Sequence, residues 1–342
     1  MKVPSGHFSR ISAGSARAAI VVAVVSACRD APSVLRPASQ PARTLAVLGW
    51  WLLIISLVVV VLIGVLELIP VFRHRGTSVA DTPVVDTPPS TRWIIIGVAV
   101  TGIVMVGVFA YSMVVMAETV QPGERAALTI EITGHRWWWE ARYPGSDSVP
   151  EVSTANELHI PVGVPVRLQV ISADVIHSFW VPRLQGKIDV IPGQQNIFWI
   201  RADSAGRYRG QCAEYCGLQH SNMAVFVTAE SAQQFASWRA GQAKPASTPQ
   251  NAQAGQGQQA FMQKCALCHT IRGTDAHGVI GPDLTHVASR QTLAAGALTN
   301  SRGNLAGWIV NAPSIKPGVD MPMIDLEPAD LHSIVSYLET LR

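Results

Sequence analysis

Charge is scarce in this chain. Only 14% of its 342 residues are Asp, Glu, Lys or Arg, against 48% hydrophobic, and the net charge is +3. So small a balance argues against a nucleic-acid partner, which needs a basic surface. The apolar excess is concentrated near the N-terminus. Cysteine is scarcer still, at five residues, and the odd count argues against a simple disulfide framework. No internal repeat is visible. What the chain does have is two long runs free of Lys and Arg, and two short stretches where Cys, His and Met crowd together.

The first residues read as an export signal. Lys2, Arg10 and Arg17 form a basic leader ahead of "AAIVVAVVSA", a run too short to span a bilayer but suited to a signal-peptide core. "VSAC" resembles the bacterial lipoprotein cleavage box. Residues 1–27 are therefore expected to be removed, with Cys28 as a lipid-bearing first residue and 28–44 as an exported segment. Two membrane spans are predicted next, at 45–72 and 93–116, each longer than the ~20 residues needed to cross hydrocarbon. The loop between them, 73–92, holds Arg73, His74, Arg75 and Arg92 against Asp81 and Asp86. The positive-inside rule places it in the cytoplasm and both ends of the mature chain outside.

Past the second span the period shortens. "ALTIEIT", "PVRLQVIS", "QNIFWIRA" and "MAVFVTA" are β-branched or aromatic runs between turn residues, which predicts an all-β sandwich or Greek-key barrel over 117–239. Residues 240–256, inside "AGQAKPASTPQNAQAGQGQQ", read as a flexible linker. From 257 to 342 the pattern is helical.

"GQCAEYCGLQHSNM" in the β region carries Cys212, Glu214, Cys216, His220 and Met223. Two idle thiols in an oxidising compartment would favour a disulfide. Thiolates beside imidazole and thioether instead favour copper. One cysteine suffices for a mononuclear blue-copper centre, so a second points to two coppers sharing sulfurs. His220 serves one copper, and His177 in "SADVIHSFWVP" is the natural partner for the other.

"HSFWVP" followed by "CAEYCGLQHSNM", with "GHRWWWE", "KIDVIPG" and "YRGQC", resembles subunit II of cytochrome c oxidase and its CuA centre. The likeness runs from the first span to about Val227 and implies a cupredoxin domain behind two spans. It implies that Cys212 and Cys216 bridge both coppers. His177 and Met223 would complete one copper; His220 and the carbonyl of Glu214 would complete the other. The Glu214 side chain would bind Mg²⁺ at the boundary with subunit I, and Trp137 would be the electron entry.

The tail adds "CALCH", the C-x-x-C-H signature of covalent haem, with Cys265 and Cys268 forming thioethers and His269 ligating iron. In cytochromes c the proline carbonyl of "GPDL" accepts the proximal imidazole's proton, which assigns Pro282. In "KPGVDMPM" the family pattern aligns Met321 as sixth ligand, with Met323 as the alternative. A fused class I cytochrome c domain marks the caa-type oxidases. The expected architecture is thus a multidomain membrane protein: a transmembrane hairpin, an all-β cupredoxin domain and an all-α cytochrome c domain. A flexible linker would raise the haem domain's effective concentration at the copper domain, making an acidic docking surface unnecessary.

The resemblance implies a respiratory oxidase subunit in a bacterial cytoplasmic membrane, with copper and haem domains on the periplasmic face. Electrons from a soluble or membrane cytochrome donor would enter by the haem and pass through CuA to subunit I, where oxygen is reduced with proton translocation. Other oxidase subunits and membrane lipid would be its further partners. The CuA subunit of a nitric oxide reductase and a membrane-anchored copper chaperone are the alternative readings. One departure from the family pattern stands at Ser90, where many relatives carry Glu at the mouth of a proton path.

Overall fold

The structure is a computed structural model and describes residues 32–73, 91–120, 126–146 and 149–342. The expected signal peptide, Cys28, Ser90 and nearly all of the 73–92 loop lie outside the described residues.

Helix α1 (Gln40–Arg73) and helix α2 (Thr91–Val120) pack side by side and carry apolar side chains all round. Both are long and apolar enough to cross a membrane. Leu57, Val60, Ile103 and Val106 are bare on different faces, the pattern of a helix whose solvent is lipid rather than water. Helix α1 starts five residues before the expected span because Ser39 caps it, its hydroxyl accepting from the Ala42 N–H at 3.1 Å. The same hydroxyl donates to the Leu184 carbonyl at 2.5 Å, and the Ala38 N–H donates to the Arg183 carbonyl at 2.7 Å. At the C-terminal end of α2, the Gln185 amide donates to the Thr119 carbonyl at 3.2 Å. One turn of the β domain thus grips both outer ends of the helix pair.

That domain is a sandwich of two five-stranded sheets. The first runs β3 (Val152–Ala155), β2 (Trp138–Tyr143), β1 (Leu128–His135), β5 (Val166–Ser172), β8 (Asn196–Ile200). The second runs β4 (Glu157–Pro161), β10 (Ala224–Glu230), β9 (Gly206–Cys212), β6 (His177–Trp180), β7 (Lys187–Val190). Two pairings, β1 with β5 and β4 with β10, are parallel and the rest antiparallel. Period-two alternation sets the core: Ile130 and Ile132 of β1 face Trp139, Ala141 and Tyr143 of β2 and Leu168 of β5, all fully buried. Each such large side chain contributes roughly 1.5–3 kcal/mol by leaving water. The two-sheet sandwich agrees with the all-β expectation for this region.

Helix α3 (Ala232–Gln242) closes the sandwich behind a Ser231 capping box. The stretch expected to be a flexible linker over 240–256 is not a loose tether. Helix α4 (Ala252–Lys264) begins inside it, capped by Asn251, whose side chain accepts from the Ala254 N–H at 2.8 Å. Residues 243–251 are fastened to the helical domain: the Ala246 N–H reaches the Arg272 carbonyl at 2.8 Å and the Ser247 hydroxyl the Thr340 carbonyl at 2.9 Å. Ala, Gln and Ser read as linker by composition, yet they also suit a helix and short side-chain hooks.

The C-terminal domain is built on α4, α5 (Arg302–Ile315) and α6 (Pro328–Leu338). Helices α4 and α6 cross at Gly257, where an added Cβ would fall 1.9 Å from the Ser333 carbonyl oxygen. Backbone so close to backbone admits only glycine. Phe261, Ile334, Tyr337 and Leu338 fill the core beside the crossing.

Candidate copper and haem sites

The β6 start, the β9 end and the loop into β10 converge on one point. The Sγ atoms of Cys212 and Cys216 lie 3.8 Å apart. His177 Nδ1 is 3.9 Å from Cys212 Sγ, His220 Nδ1 is 3.7 Å from Cys216 Sγ, and Met223 Sδ is 3.8 Å from Cys216 Sγ. The Glu214 carbonyl lies 3.2 Å from Cys212 Sγ. His177, Cys212 and Met223 are fully or almost fully buried. Cys212, Cys216, Cys265 and Cys268, the four cysteines among the described residues, are unpaired. The sequence-predicted copper residues are therefore brought together, each with a donor atom near one of the two sulfurs.

Local structure explains the aim of His177. Its ring lies against Gly134 of β1, where a Cβ would come within 2.9 Å of Cδ2, and it packs edge-to-face with Trp139. Nε2 donates to Asp174 Oδ1 at 2.8 Å, and Nδ1 lies toward the Cys212 sulfur at 3.9 Å. Asp174 is itself held by the N–H groups of Val175 at 2.6 Å and Arg136 at 2.7 Å. Burial raises its pKa, but these three donors outweigh it and hold the carboxyl below its usual range. Asp174 is the supporting residue that sequence reasoning passed over. An acid three residues before a candidate ligand histidine was the available signal.

The two thiols push each other's pKa apart. Contact with Cys216 at 3.8 Å, and after it His177, draws the Cys212 pKa far below the ordinary thiol range despite burial. Cys216 is raised in turn by the same contact. A centre that stabilises thiolate, with imidazole and thioether beside it, fits a soft metal.

Alternation in β2 points Trp139 inward, at 0% exposure, with Trp138 half-buried and stacked on His135, while Trp137, in the turn before β2, is 6% exposed. The Trp137 indole N–H donates to the Cys216 carbonyl at 2.9 Å, so the ring ends on the backbone of a copper-site cysteine. Glu214 is half-exposed, with its Oε2 3.8 Å from Lys187 Nζ.

In the helical domain, His269 Nδ1 donates to the Pro282 carbonyl at 2.9 Å, which fixes the tautomer and leaves Nε2 free. Burial, with Arg290 nearby, lowers the His269 pKa and keeps the ring neutral, as an iron ligand must be. The imidazole lies on Gly281, where a Cβ would meet Cε1 at 2.4 Å. Leu267, Val279 and Ile280 stand bare around Cys268 and His269, at 84%, 86% and 65% exposure, an apolar rim of the kind a porphyrin covers. Met321 is half-buried, whereas Met323 is largely exposed. His277 sits on the surface, and His286 is buried between the Lys244 and Arg342 carbonyls, so neither is brought to His269.

A family model described as cytochrome c oxidase subunit II, periplasmic domain, matches residues 128–230, and one described as cytochrome c matches 254–342. The "alternative cytochrome c oxidase subunit 2" of Bradyrhizobium diazoefficiens is 31% identical over 195 residues, 49% of this chain and 68% of that one. The chain belongs to the cytochrome c oxidase subunit II family. Cytochrome c oxidase subunit 2 of Alkalihalophilus pseudofirmus is 35% identical over 215 residues, 62% of this chain and 61% of the relative's length. That of Bacillus subtilis is 28% identical over 346 residues, 95% of this chain and 96% of the other, so the likeness there takes in both domains and the helices. The two family matches imply a CuA copper centre in the cupredoxin domain and a haem in the cytochrome c domain. The donor set at Cys212 and Cys216 fits the first, and the cradle at His269 fits the second.

Proposed function

We propose that this chain is the electron-delivering subunit of a haem–copper terminal oxidase, anchored in a bacterial cytoplasmic membrane with its copper and haem domains outside. The observation that carries the reading is the convergence of two thiols, two imidazoles and a thioether, each within 3.9 Å of a neighbour in the cluster, in a chain that also carries "CALCH". When bound, the copper pair and the haem supply one-electron redox chemistry, which would carry electrons from a cytochrome donor to subunit I for oxygen reduction.

The chain's own residues position and insulate that chemistry. Cys212 and Cys216 would bridge, His177 with Met223 and His220 with the Glu214 carbonyl would complete the two coppers, and Asp174 orients His177. Cys265, Cys268 and His269 would hold the haem, with Pro282 fixing the imidazole and Met321, the more buried methionine of the pair, as its sixth ligand. Trp137 is the proposed entry because its indole ends on the Cys216 carbonyl. The Glu214 carboxylate is the proposed protein ligand to Mg²⁺, an ion that favours oxygen donors. Lipidation of Cys28 belongs to the same reading.

The test is metal content with spectroscopy on the purified complex. Two coppers and one covalent haem per chain are expected, with a near-infrared copper band that Cys212→Ser or Cys216→Ser abolishes together with oxygen consumption. A band and turnover that survive either substitution would overturn the proposal.

A further inference from the structure

The two soluble domains meet over Trp137, and the contact is built from buried charge. Lys316, in the haem domain five residues before Met321, is 2% exposed. Its ammonium donates to the carbonyls of Trp137 at 2.9 Å and Asn222 at 2.8 Å in the copper domain, and to that of Ala294 at 3.2 Å in its own. All three N–H bonds are therefore used, two of them across the junction. Burial lowers the Lys316 pKa to about 8, which leaves the group charged at neutral pH.

Glu157 of β4 answers from the other side. It is 7% exposed, and its Oε1 accepts from the haem domain's Gln291 N–H at 2.9 Å and Thr292 N–H at 3.3 Å. Hydrogen bonds from or to an ion are among the stronger ones, and removing one partner strands the others in a dry contact. Between the two charges the haem-domain backbone runs left-handed at three successive residues, Ala294, Ala295 and Gly296, with φ of 53°, 57° and 83°. Two alanines in that region are strained, a state that persists where surrounding contacts over-determine it. Here those contacts are Lys316 and the ring of Phe226, which a Cβ at Gly296 would meet at 2.9 Å. The lid is completed by Gly318, where a Cβ would lie 3.2 Å from Trp137 Cη2, and by the Gln219 amide, which donates to the Pro317 carbonyl at 3.0 Å.

We propose that Lys316 and Glu157 are a two-point latch that holds the haem domain as a fixed cover over Trp137, so that an outside donor reaches the copper site by way of the haem domain and not at Trp137 itself. The inference rests on the function proposed above and replaces tethered encounter with a fixed junction. Lys316 and Glu157 act as positioning residues.

The test is covalent footprinting of tryptophans in the full holo chain, read by mass spectrometry. In the unaltered chain Trp137 should be protected nearly as well as Trp139. Lys316→Met and Glu157→Ala should each speed Trp137 labelling by about tenfold or more, as stranded polar groups release the contact. Trp139 labelling and the haem spectrum should stay unchanged. Glu157→Gln keeps an oxygen acceptor and should restore most of the protection. The proposal is overturned if Trp137 in the unaltered chain labels as fast as a free indole, or if both disabling variants leave it within twofold of the unaltered rate. Amide exchange in the unaltered chain decides the matter if the variants misfold: the Gln291 N–H should exchange at least about a hundredfold slower than in random coil, and exchange at the coil rate refutes the latch. Neither readout needs turnover, so a chain found to hold no copper pair can still show a protected Trp137.

Discussion

Asp174→Asn separates orientation of His177 from mere packing. The carboxylate divides its work: Oδ1 serves His177 Nε2 at 2.8 Å and the Val175 N–H at 2.6 Å, while Oδ2 serves the Arg136 N–H at 2.7 Å. An amide has one oxygen. Placed at Oδ1, it keeps His177 but turns an NH₂ against the Arg136 N–H, donor to donor. Flipped, it keeps Arg136 and abandons both His177 and Val175. Either way a bond is lost and the negative charge with it, so the histidine becomes a weaker base. Outer partners of ligand histidines are worth roughly 10–100-fold in metal affinity, or about 1.4–2.7 kcal/mol. The assay is competition for copper between the holo protein and a chelator of known affinity, followed through the near-infrared band. A fall of that size is expected with the band position little changed. Affinity within threefold of the unaltered protein would refute the argument that Asp174 sets the imidazole.

Two further outcomes follow from packing and charge. Gly257→Ala gains about 1 kcal/mol of helix propensity, but its methyl would sit 1.9 Å from the Ser333 carbonyl oxygen. Backbone on both sides yields poorly, so a net loss of about 2 kcal/mol is expected, lowering the haem-domain Tm by roughly 8–16 °C; an unchanged or higher Tm by circular dichroism would contradict it. Glu140 is held below its usual pKa by His135, and also by Arg142 and Ser153, against the opposing effect of burial. Its contribution to stability is therefore complete above the ordinary carboxylate range and is lost as pH falls through its depressed value. Denaturant midpoints measured against pH should show Glu140→Gln with a shallower acid decline; equal slopes would rule this out.

Much of the copper and haem chemistry was legible because it is local in the chain. Cys212, Glu214, Cys216, His220 and Met223 fall within twelve consecutive residues, and Cys265, Cys268 and His269 within one turn, so donor type and spacing speak directly. Long apolar runs announce helices α1 and α2 for the same reason. The junction was illegible because its parts are remote. Lys316 is 179 residues from Trp137, and nothing beside it hints that its ammonium is buried. Glu157 is 134 residues from Gln291, and a lone acid in a strand reads as a solvated side chain. The ordered stretch over 243–251 failed to show for a related reason: its anchors, Arg272 and Thr340, lie in the domain that follows, so composition alone describes a chain with no partner.

The grip of residues 183–186 on both outer ends of the helix hairpin makes the copper domain and the helix pair a single lever. Hydrophobic stretches respond to a thinner or thicker bilayer by tilting. With Ala38 and Ser39 clasped at one helix and Thr119 at the other, such a tilt would load those bonds. Through them the tilt would reach the sandwich itself, and bilayer thickness would bear on how the domain sits.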